Sequence, residues 1–555
     1  MRDVKQAERR DDYIFREVDK KQDVEKLAAM WQASDDQWPG TWSGGTEISP
    51  EKVTEWMERE GSLSITVVET ADQKRIVGYC SFSERQEEKG VGYVGLLNVQ
   101  PEYQKKSLAR RLLQHSIQRC LDLGFHILTL GTWSGNLKSV PLYKKTGFYW
   151  VPDTSVWMLN FVPGILSLPC AKPFFSKHDW YSTMRRELHQ VEDDMRWEGM
   201  KVFIYEFEEN GERLKVWADR ESLKITAVET DTFFAGAIAA SIEPPKGLPT
   251  KIRWRLQNKT DRSMHVSLMA SGTEHMKLDY RKTLELQPGA QVELDSKVDI
   301  SLDTPEVKPR KSVPSMRTVL IIDGEVLELG TGLRPQPAVN VSTAPKHVSL
   351  MPGVEKTVNI QLHSYFEQAC QVTVRLTAPE GLRTDWTETA LDLPGKSWGG
   401  VPVKLSAGQA GVYPLQVVVT FDGRETAPET LPVFCMPVNG VLAYKGQRYT
   451  RIENQSVRLW LDSFGGGIGI HMAHDDTWLG TVSESLGPPF WPTEFRSKDF
   501  AIDLAELNGS VTATMSAVSD DNPGLVLKRR VTLGGGDLAE IETQLVNVGS
   551  SSYEL

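Results

Sequence analysis

Helical and strand-like patterns of apolar residues alternate through the first 160 residues of the chain. Apolar spacing predicts helices over 19–33, 50–60, 108–123 and 139–145. Apolar runs and alternation predict strands over 63–70, 75–84, 92–99, 126–130 and 155–161. Gly124 and Gly147 follow two of the helices, as glycine caps do. The interleaving predicts an α+β domain over residues 1–162 with antiparallel strands.

Residues 163–200 interrupt this pattern, and we expect a proline-rich and helical linker there. Three prolines come first, and apolar residues at helical spacing then predict one lone amphipathic helix. The apolar positions of that helix are Trp180, Met184, Leu188, Val191 and Met195.

From Lys201 onward the pattern changes to short strands and turns, with hardly any helix. Asn210-Gly211 lies between two strand-like runs and predicts a hairpin turn. Proline-rich stretches at 334–346 and 433–440 predict linkers, and period-two alternation between them is typical of a sandwich. We therefore expect all-β sandwich domains over 201–338, 339–438 and 439–555. The last strand pattern does not complete a domain, and we expect the protein to continue beyond Leu555.

Composition and charge narrow the class of protein. Hydrophobic residues make up 40% of the 555 residues and charged residues 25%, which indicates a globular chain and excludes general disorder. The net charge of -11 argues against nucleic acid as a partner. Five scattered cysteines argue against a disulfide framework or a zinc ribbon. No signal peptide or membrane span is predicted, so we expect a cytoplasmic protein.

The stretch from Gly92 to Phe148 is the most informative part of the chain. An apolar strand enters a polar loop, and the loop opens directly into a long helix at Leu108. The first turn of a helix has unpaired N–H groups and a positive dipole end, which together favour a diphosphate. Ser107 and Ala109 are small enough to let the backbone approach such a ligand closely.

These residues resemble the GNAT family of acetyl-CoA-dependent N-acetyltransferases. The family signature Q/R-x-x-G-x-G/A stands here as Gln104 to Ala109, and the preceding V-x-P stands as Val99 to Pro101. Asn136 and the later run Leu142 to Phe148 match a second family motif. The resemblance covers about residues 12–162 and implies a mixed sheet with flanking helices. Ser107 departs from the pattern, because the family has glycine at this position.

The resemblance implies acetyl-CoA as co-substrate, with no metal, and direct attack of an acceptor amine on the thioester. The strand backbone pairs with the pantetheine arm, the N–H of Val99 polarises the thioester carbonyl, and the loop N–H groups hold the diphosphate. Asn136 either contacts the pantetheine or caps the following helix. The residues assigned to the cofactor are Leu97, Asn98, Val99, Gln104, Lys105, Lys106, Ser107, Leu108, Ala109 and Asn136.

Two residues are candidates for proton transfer. Tyr143 matches the tyrosine of the family that protonates the departing thiolate; the alternative is a core aromatic residue. Glu84, at a strand end, is a candidate base for the amine, whereas such residues are more often only solvated. A domain that binds the cofactor without turnover is a further alternative.

The acceptor is a small-molecule or protein amine, and its site is predicted in the loop between the first two helices. Asp35 and Asp36 would hold a cationic amine, and Trp38 and Trp42 would form its walls through cation–π contacts. The alternative is a surface loop whose tryptophans pack down on the fold.

The β region carries weaker resemblances. Residues 339–438 resemble the immunoglobulin-like NEW module of glycosidases, and the last segment weakly resembles the start of a galactose-mutarotase-like domain. Trp478 and Trp491 are candidates for carbohydrate contact or for core positions. His471 and His474 favour a polar turn over a metal site. The competing functions are therefore a cofactor- and glycan-binding protein or part of a carbohydrate-active enzyme.

Overall fold

The computed structural model describes most of the chain, which forms two compact units, Met1–Gln336 and Pro337–Leu555. The described residues are 8–10, 12–37, 43, 45–59, 61–85, 88–133, 135–136, 138–307, 311–474, 477–483, 494–520 and 522–553. In these ranges no helix is long and apolar enough to cross a membrane.

The first unit begins with an eight-stranded sheet in the order β1-β2-β3-β4-β5-β6-β8-β7. Its strands are β1 (Glu8–Arg10), β2 (Tyr13–Glu17), β3 (Ser64–Thr70), β4 (Ile76–Glu84), β5 (Val91–Val99), β6 (Ile127–Gly131), β7 (Tyr149–Trp150) and β8 (Trp157–Asn160). Its helices are α1 (Val24–Gln32), α2 (Pro50–Arg59), α3 (Leu108–Asp122) and α4 (Val140–Lys145). The helices and strands expected from the apolar pattern are all present, with ends that differ by a few residues.

The sheet is mixed, with one parallel pair of strands among antiparallel neighbours. Strands β5 and β6 run parallel, whereas their other neighbours in the sheet run antiparallel. Parallel neighbours require a crossover connection, and helix α3 provides it. The mixed sheet with flanking helices, which the family resemblance implies, is confirmed.

Helices cover both faces of this sheet. Helix α3 buries Leu108, Leu112 and Ile117 in the larger core cluster, together with Leu97 and Val99 of β5. Helices α1 and α2 form a second cluster that includes Trp31 and, on β4, Tyr79. Each face of strand β5 therefore meets a different set of side chains.

The connecting segment after residue 162 is not the long helix that its apolar spacing predicts. Three short helices, α5 (Val162–Ser167), α6 (Lys172–Phe175) and α7 (Trp180–Thr183), give way to short strands. Met184 pairs with Phe207 in a sheet, while Leu188 and Val191 are 40% and 59% exposed. The spacing does not reflect burial, because strand pairing at Met184 ends the helix.

Two sheets make up the rest of the first unit. The larger has nine strands in the order β10-β11-β12-β13-β14-β15-β19-β17, with β9 beside β11, and the smaller has the order β18-β16-β20-β21. Trp254 is fully buried, and its Nε1 donates to Thr318 Oγ1 at 2.9 Å, which links a strand of the larger sheet to one of the smaller. The strands are β9 (Met184–Arg185), β10 (Met195–Trp197), β11 (Met200–Glu209), β12 (Glu212–Asp219), β13 (Lys224–Glu229), β14 (Phe233–Ala239), β15 (Thr250–Asn258), β16 (Met264–Ser271), β17 (Met276–Lys277), β18 (Asp279–Leu286), β19 (Gln291–Ile300), β20 (Ser315–Ile322) and β21 (Glu325–Gly332).

The α+β part and these two sheets share one continuous hydrophobic core. Tyr149 stacks on Phe203 with ring centroids 5.0 Å apart. The buried Tyr205 hydroxyl accepts from the N–H of Phe161 at 2.9 Å and donates to the Gly147 carbonyl at 2.9 Å. The first unit is therefore a single packed body.

The second unit contains strands in four sheets, and no α-helix occurs in its described residues. The sheets have the orders β22-β24-β28-β26, β23-β31-β29-β25-β27 with β30 beside β29, β32-β33-β34-β35-β36, and β37-β38-β39-β40. The strands are β22 (Val339–Ala344), β23 (Val348–Leu350), β24 (Lys356–Ser364), β25 (Cys370–Thr377), β26 (Leu382–Thr384), β27 (Glu388–Leu393), β28 (Trp398–Ala407), β29 (Gly411–Phe421), β30 (Arg424–Glu425), β31 (Glu429–Cys435), β32 (Leu442–Lys445), β33 (Tyr449–Glu453), β34 (Val457–Asp462), β35 (Ile468–Met472), β36 (Trp478–Val482), β37 (Ala501–Leu507), β38 (Ser510–Val518), β39 (Leu525–Leu533) and β40 (Ala539–Asn547). This region of β sheets in separate sandwiches agrees with the fold class that the sequence predicts.

Candidate functional site

Strands β5 and β6 separate partway along their length. Their parallel pairing covers Val91, Gly92 and Tyr93 of β5 and ends there. The register between β4 and β5 then shifts by one residue, as in a β-bulge, and the Leu96 N–H donates to Ser81 Oγ at 2.9 Å. Strands β5 and β6 therefore leave a gap between them, beside the second half of β5.

The backbone of Leu97 and Val99 faces this gap. The N–H of Gln100 donates to the Val77 carbonyl at 3.0 Å, so the even-numbered residues here point their backbone groups at β4. Antiparallel pairing alternates these directions, which turns the odd-numbered residues away from β4. Gln104 Nε2 donates to the Val99 carbonyl at 3.2 Å from that other side, which agrees with this geometry.

The loop before α3 has the backbone shape of an anion site. Lys105 and Ser107 both have left-handed conformations, with φ of 63° and 61°. In the described part of the chain, the N–H groups of Lys105 to Ala109 donate to no other group. Successive unpaired N–H groups at a helix start form a concavity that suits a phosphate.

The loop side chains contribute less than the backbone does. The Lys106 ammonium donates to the Tyr13 hydroxyl at 3.1 Å and lies 5.0 Å from the centre of the Tyr103 ring. The hydrogen bond with Tyr13 raises the pKa of Lys106. Leu108 is buried in the core, whereas Lys105 and Ser107 are exposed. Any diphosphate here would therefore bind mainly to backbone N–H groups and to Lys105.

Tyr143 lies on α4 and packs edge-to-face on Phe148 at 6.2 Å. Burial raises the pKa of the Tyr143 phenol to about 12, and Cys80 and Tyr93 are near enough to add to this rise. Cys80 and Tyr93 belong to β4 and β5, so α4 presents this phenol toward β5, which borders the gap, and toward its neighbour β4. The phenol keeps its proton at neutral pH and can donate it.

Asn136 precedes α4 but does not cap it. Its amide donates to Thr132 Oγ1 at 2.9 Å, and the residue before the helix is Ser139. Asn136 therefore shapes the turn between β6 and α4.

The burial of Lys144, which directly follows Tyr143, was not predicted from the sequence. Its ammonium pairs with Asp193 of the connecting segment, so that segment holds the helix that carries Tyr143. The only signal was the position of Lys144 beside Tyr143 in the family motif, where a lysine looks like a solvated charge.

The predicted acceptor loop is described only in part. Asp35 Oδ1 accepts from the Ser43 N–H at 2.7 Å, and Asp35 Oδ2 accepts from the Ser43 hydroxyl at 2.7 Å. Asp36 is exposed beside Gln37. Both oxygens of the Asp35 carboxylate are therefore bonded to Ser43, which ties the two ends of the loop together. Trp38 and Trp42 lie outside the described residues.

Glu84 lies at the wrong end of β4 for the proposed base. It is exposed, pairs with Gly92 and accepts from the Gly90 N–H at 2.6 Å. Six residues of strand separate it from Gly78, the partner of Val99, which is about 20 Å at the usual rise per residue. The carboxylate of Glu84 stabilises the turn between β4 and β5 through its hydrogen bond with the Gly90 N–H.

The second unit contains the two tryptophans expected at a carbohydrate site and the two histidines expected in a polar turn. Trp478 is 64% exposed on β36, and Trp491 lies outside the described ranges. Across those ranges, no group of three or more His, Cys, Asp or Glu side chains could hold a metal ion.

Two curated relatives match part of the chain. L-amino acid N-acyltransferase MnaT of Escherichia coli (strain K12) is 27% identical over 109 residues, which cover 19% of this chain and 63% of that protein. A Salmonella typhimurium (strain LT2) L-methionine sulfoximine/L-methionine sulfone acetyltransferase is 30% identical over 95 residues, 17% of this chain and 56% of that protein. The chain thus spans less than two thirds of the length of either relative.

Solved structures also align with this part of the chain. The GNAT family N-acetyltransferase YhbS from Escherichia coli, in complex with CoA, is 17% identical and covers 28% of this chain and 83% of its own, with a TM-score of 0.21. The acetyltransferase yncA from Salmonella typhimurium, with acetyl-CoA, is 20% identical and covers 27% and 94%, with a TM-score of 0.23. The family model described as "Acetyltransferase (GNAT) family" matches residues 27–148. Residues 27–148 thus match the GNAT acetyltransferase family.

Proposed function

We propose that the protein is an N-acetyltransferase that transfers the acetyl group of acetyl-CoA directly to an acceptor amine. The observation that carries the proposal is the continuity of one polar backbone surface. The gap-facing backbone of Leu97 and Val99 leads into the unpaired N–H groups of Lys105 to Ala109. This surface suits an extended amide arm followed by a diphosphate, the two features that coenzyme A presents.

Acetyl-CoA, when bound, supplies the thioester whose acetyl carbon is attacked. The N–H of Val99 would donate to the thioester oxygen as negative charge develops there. A bond forms between the amine nitrogen and the acetyl carbon, and the carbon–sulfur bond breaks. Tyr143 would give its proton to the departing sulfur, and the amine would lose a proton to water, since Glu84 lies too far along β4.

We propose a small-molecule or protein amine as the acceptor. Both curated relatives carry names that refer to amino acids or amino-acid derivatives, and this supports a small molecule. Asp36 remains available to attract a cationic amine, because it is exposed near the start of the loop.

The β sheets of the first unit would support catalysis by completing the core behind α4, because Tyr149 and Tyr205 tie the two parts together. For the second unit we propose two sandwich domains, an immunoglobulin-like one over 339–438 and a mutarotase-like one over 439–555. We propose carbohydrate as their ligand. The exposed Trp478 supports this, since aromatic rings stack on sugars.

We also propose a reducing compartment, the cytoplasm. None of the five cysteines, all of which the structure describes, forms a disulfide, and Cys80, Cys120, Cys170 and Cys435 are buried. Proteins of oxidising compartments commonly pair their cysteines.

Calorimetric titration of acetyl-CoA, followed by turnover with a panel of amines, tests the function. We expect micromolar binding, and Tyr143→Phe should bind acetyl-CoA equally but lose about 100-fold or more in kcat. Tyr413→Phe, which removes a hydroxyl that donates to the Gln409 carbonyl in the second unit, is the control. Absence of acetyl-CoA binding would refute the proposal; full turnover by Tyr143→Phe would remove only the role of this tyrosine.

A further inference from the structure

The side chain of Asn98 points out of the sheet between the two backbone groups that face the gap. Asn98 pairs with Tyr79 across β4 and β5, and directly paired residues share a face of the sheet. Tyr79 belongs to the cluster under α1 and α2, where its ring meets Trp31 at 5.2 Å. Asn98 therefore lies on the face opposite α3, at the depth of Leu97 and Val99.

This amide has an unmet hydrogen bond. Asn98 is only 7% exposed, and its Nδ2 is buried with no hydrogen-bond partner among the residues that the structure describes. A buried amide N–H without a partner is destabilising, and most such groups in proteins are paired. The rings of Tyr79 and Trp31, at 2% and 3% exposure, make the surroundings largely apolar, so a ligand oxygen would be the natural partner.

The direction of the side chain distinguishes the two substrates of the reaction. Backbone groups of Leu97 and Val99 lie in the plane of the sheet and face the gap where the pantetheine is proposed to bind. The Asn98 side chain stands out of that plane, on the face of α1 and α2. A molecule that meets this amide therefore approaches from the side of α1 and α2.

We propose that Asn98 binds the acceptor and selects amines with a carbonyl or carboxylate group on the carbon that carries the amine. This inference rests on the proposed acetyl transfer. Asn98 directly precedes Val99, whose N–H is the proposed donor to the thioester oxygen, and one strand residue spans about 3.3 Å. An oxygen held by Asn98 Nδ2 would therefore lie close to the attacking nitrogen, as the carbonyl or carboxylate oxygen of an α-amino compound does, three bonds from its nitrogen. The substrate class is α-amino acids, α-amino amides and peptide N-termini, in contrast to plain alkylamines.

Matched sets of amines test this selection. Each set contains a carboxylate, a carboxamide and an alkylamine that otherwise share their structure. The first set is L-alanine, L-alaninamide and isopropylamine, and the second is L-phenylalanine, L-phenylalaninamide and 2-phenylethylamine. The full chain should show a kcat/KM at least about tenfold higher for an oxygen-bearing member than for its alkylamine, since one hydrogen bond in a buried site has about this effect. The carboxylate and carboxamide members show which oxygen is preferred.

Asn98→Leu keeps the shape of the side chain and removes its N–H. We expect the preference to fall at least about tenfold, while the Kd for acetyl-CoA stays within about twofold and the melting temperature does not fall. A purely structural role would lower the melting temperature. Asn98→Asp also removes the N–H but retains the polar oxygens, and it should reject the carboxylate members most strongly through like-charge repulsion.

Each other outcome contradicts a defined part of the argument. If both variants keep the preference for oxygen-bearing amines, the role of Asn98 is wrong and acetyl transfer stands. If acetyl-CoA binding weakens tenfold with the preference unchanged, Asn98 serves the cofactor. If acetyl-CoA binds but no oxygen-bearing amine outperforms its alkylamine, the substrate class is wrong. If acetyl-CoA does not bind at all, the proposed function fails first.

Discussion

Lys144 Nζ lies 2.9 Å from Asp193 Oδ1, and both side chains are almost completely buried, at 2% and 1% exposure. The Lys144 ammonium also donates to the Val191 carbonyl at 2.8 Å. The second oxygen of Asp193 accepts from the Trp150 N–H at 2.7 Å. Because Lys144 directly follows Tyr143, this pair fixes the helix of the proposed proton donor to the connecting segment.

Asp193→Asn is expected to destabilise the first unit by about 3–5 kcal/mol, because it leaves the Lys144 charge buried with a neutral partner. The free energy of unfolding from urea titration measures this loss. Asp295→Asn makes the same chemical change in an exposed pair with Lys251, at 53% and 64% exposure, and should cost less than about 1 kcal/mol. Equal losses in both variants would show that burial does not govern the pair.

A fragment of residues 1–162 is expected to fail to fold, whereas residues 1–336 should fold cooperatively. The short fragment exposes Tyr149 and Phe161, which pack on Phe203 and Tyr205 in the complete unit. It also leaves the Lys144 charge without Asp193. Circular dichroism and thermal unfolding of both fragments measure the difference, and a cooperative transition in residues 1–162 alone would contradict the shared core.

The sequence predicted the elements of the site because their signals are local. The apolar stripe of α3 and the apolar run of β5 describe burial within single elements, and both are confirmed. The position of Glu84 depends on the register of β4 against β5, which is a pairing between distant residues. The position of Glu84 at the end of a strand could therefore be predicted from the sequence, but its distance from the gap between β5 and β6 could not.

Burial of polar groups was the other feature that the sequence could not show. Lys144 and Asp193 look like solvated residues in the sequence, and Asn98 was assigned to the cofactor; only the packed chain shows that all three are buried. Conversely, Leu188 looks like part of a buried helical face but is exposed, because strand pairing at Met184 ends the helix before it.

Ser107→Gly is expected to tighten acetyl-CoA binding several-fold. The family has glycine here, and Ser107 places a Cβ at a left-handed position, φ 61°, in the proposed diphosphate loop. The substitution should also stabilise the protein by up to about 1 kcal/mol, since left-handed backbone is unfavourable for residues with a Cβ. Calorimetric titration and urea unfolding measure the two effects.

Lys105→Gly is the matched control for this substitution. It relieves the same backbone strain at φ 63° and keeps the Cβ of Ser107, but it also removes the ammonium that is proposed to contact the diphosphate, so stability should rise while acetyl-CoA binding weakens. Tighter binding by Lys105→Gly would assign the effect to loop strain, and unchanged binding by Ser107→Gly would show that the Cβ of Ser107 does not hinder the ligand.

The first unit is expected to lose stability steadily from about pH 9 to pH 12. Burial raises the pKa of the Cys120 and Cys170 thiols from 9.0 to about 12, and that of Tyr143 from 10.0 to about 12. The folded state therefore keeps protons that the unfolded chain releases, so the stabilisation is complete below pH 9 and is lost as the pH rises toward 12.

Each group lowers the free energy of unfolding by about 1.4 kcal/mol per pH unit while it is ionised in the unfolded chain and still protonated in the folded chain. Urea unfolding of residues 1–336 at pH 8, 9, 10 and 11 with a reductant present measures the slope. Cys120→Ser should lower the free energy of unfolding at pH 8 but flatten its pH dependence, because serine does not ionise in this range. A free energy of unfolding that stays constant from pH 8 to 11 would contradict the buried, neutral state of these thiols.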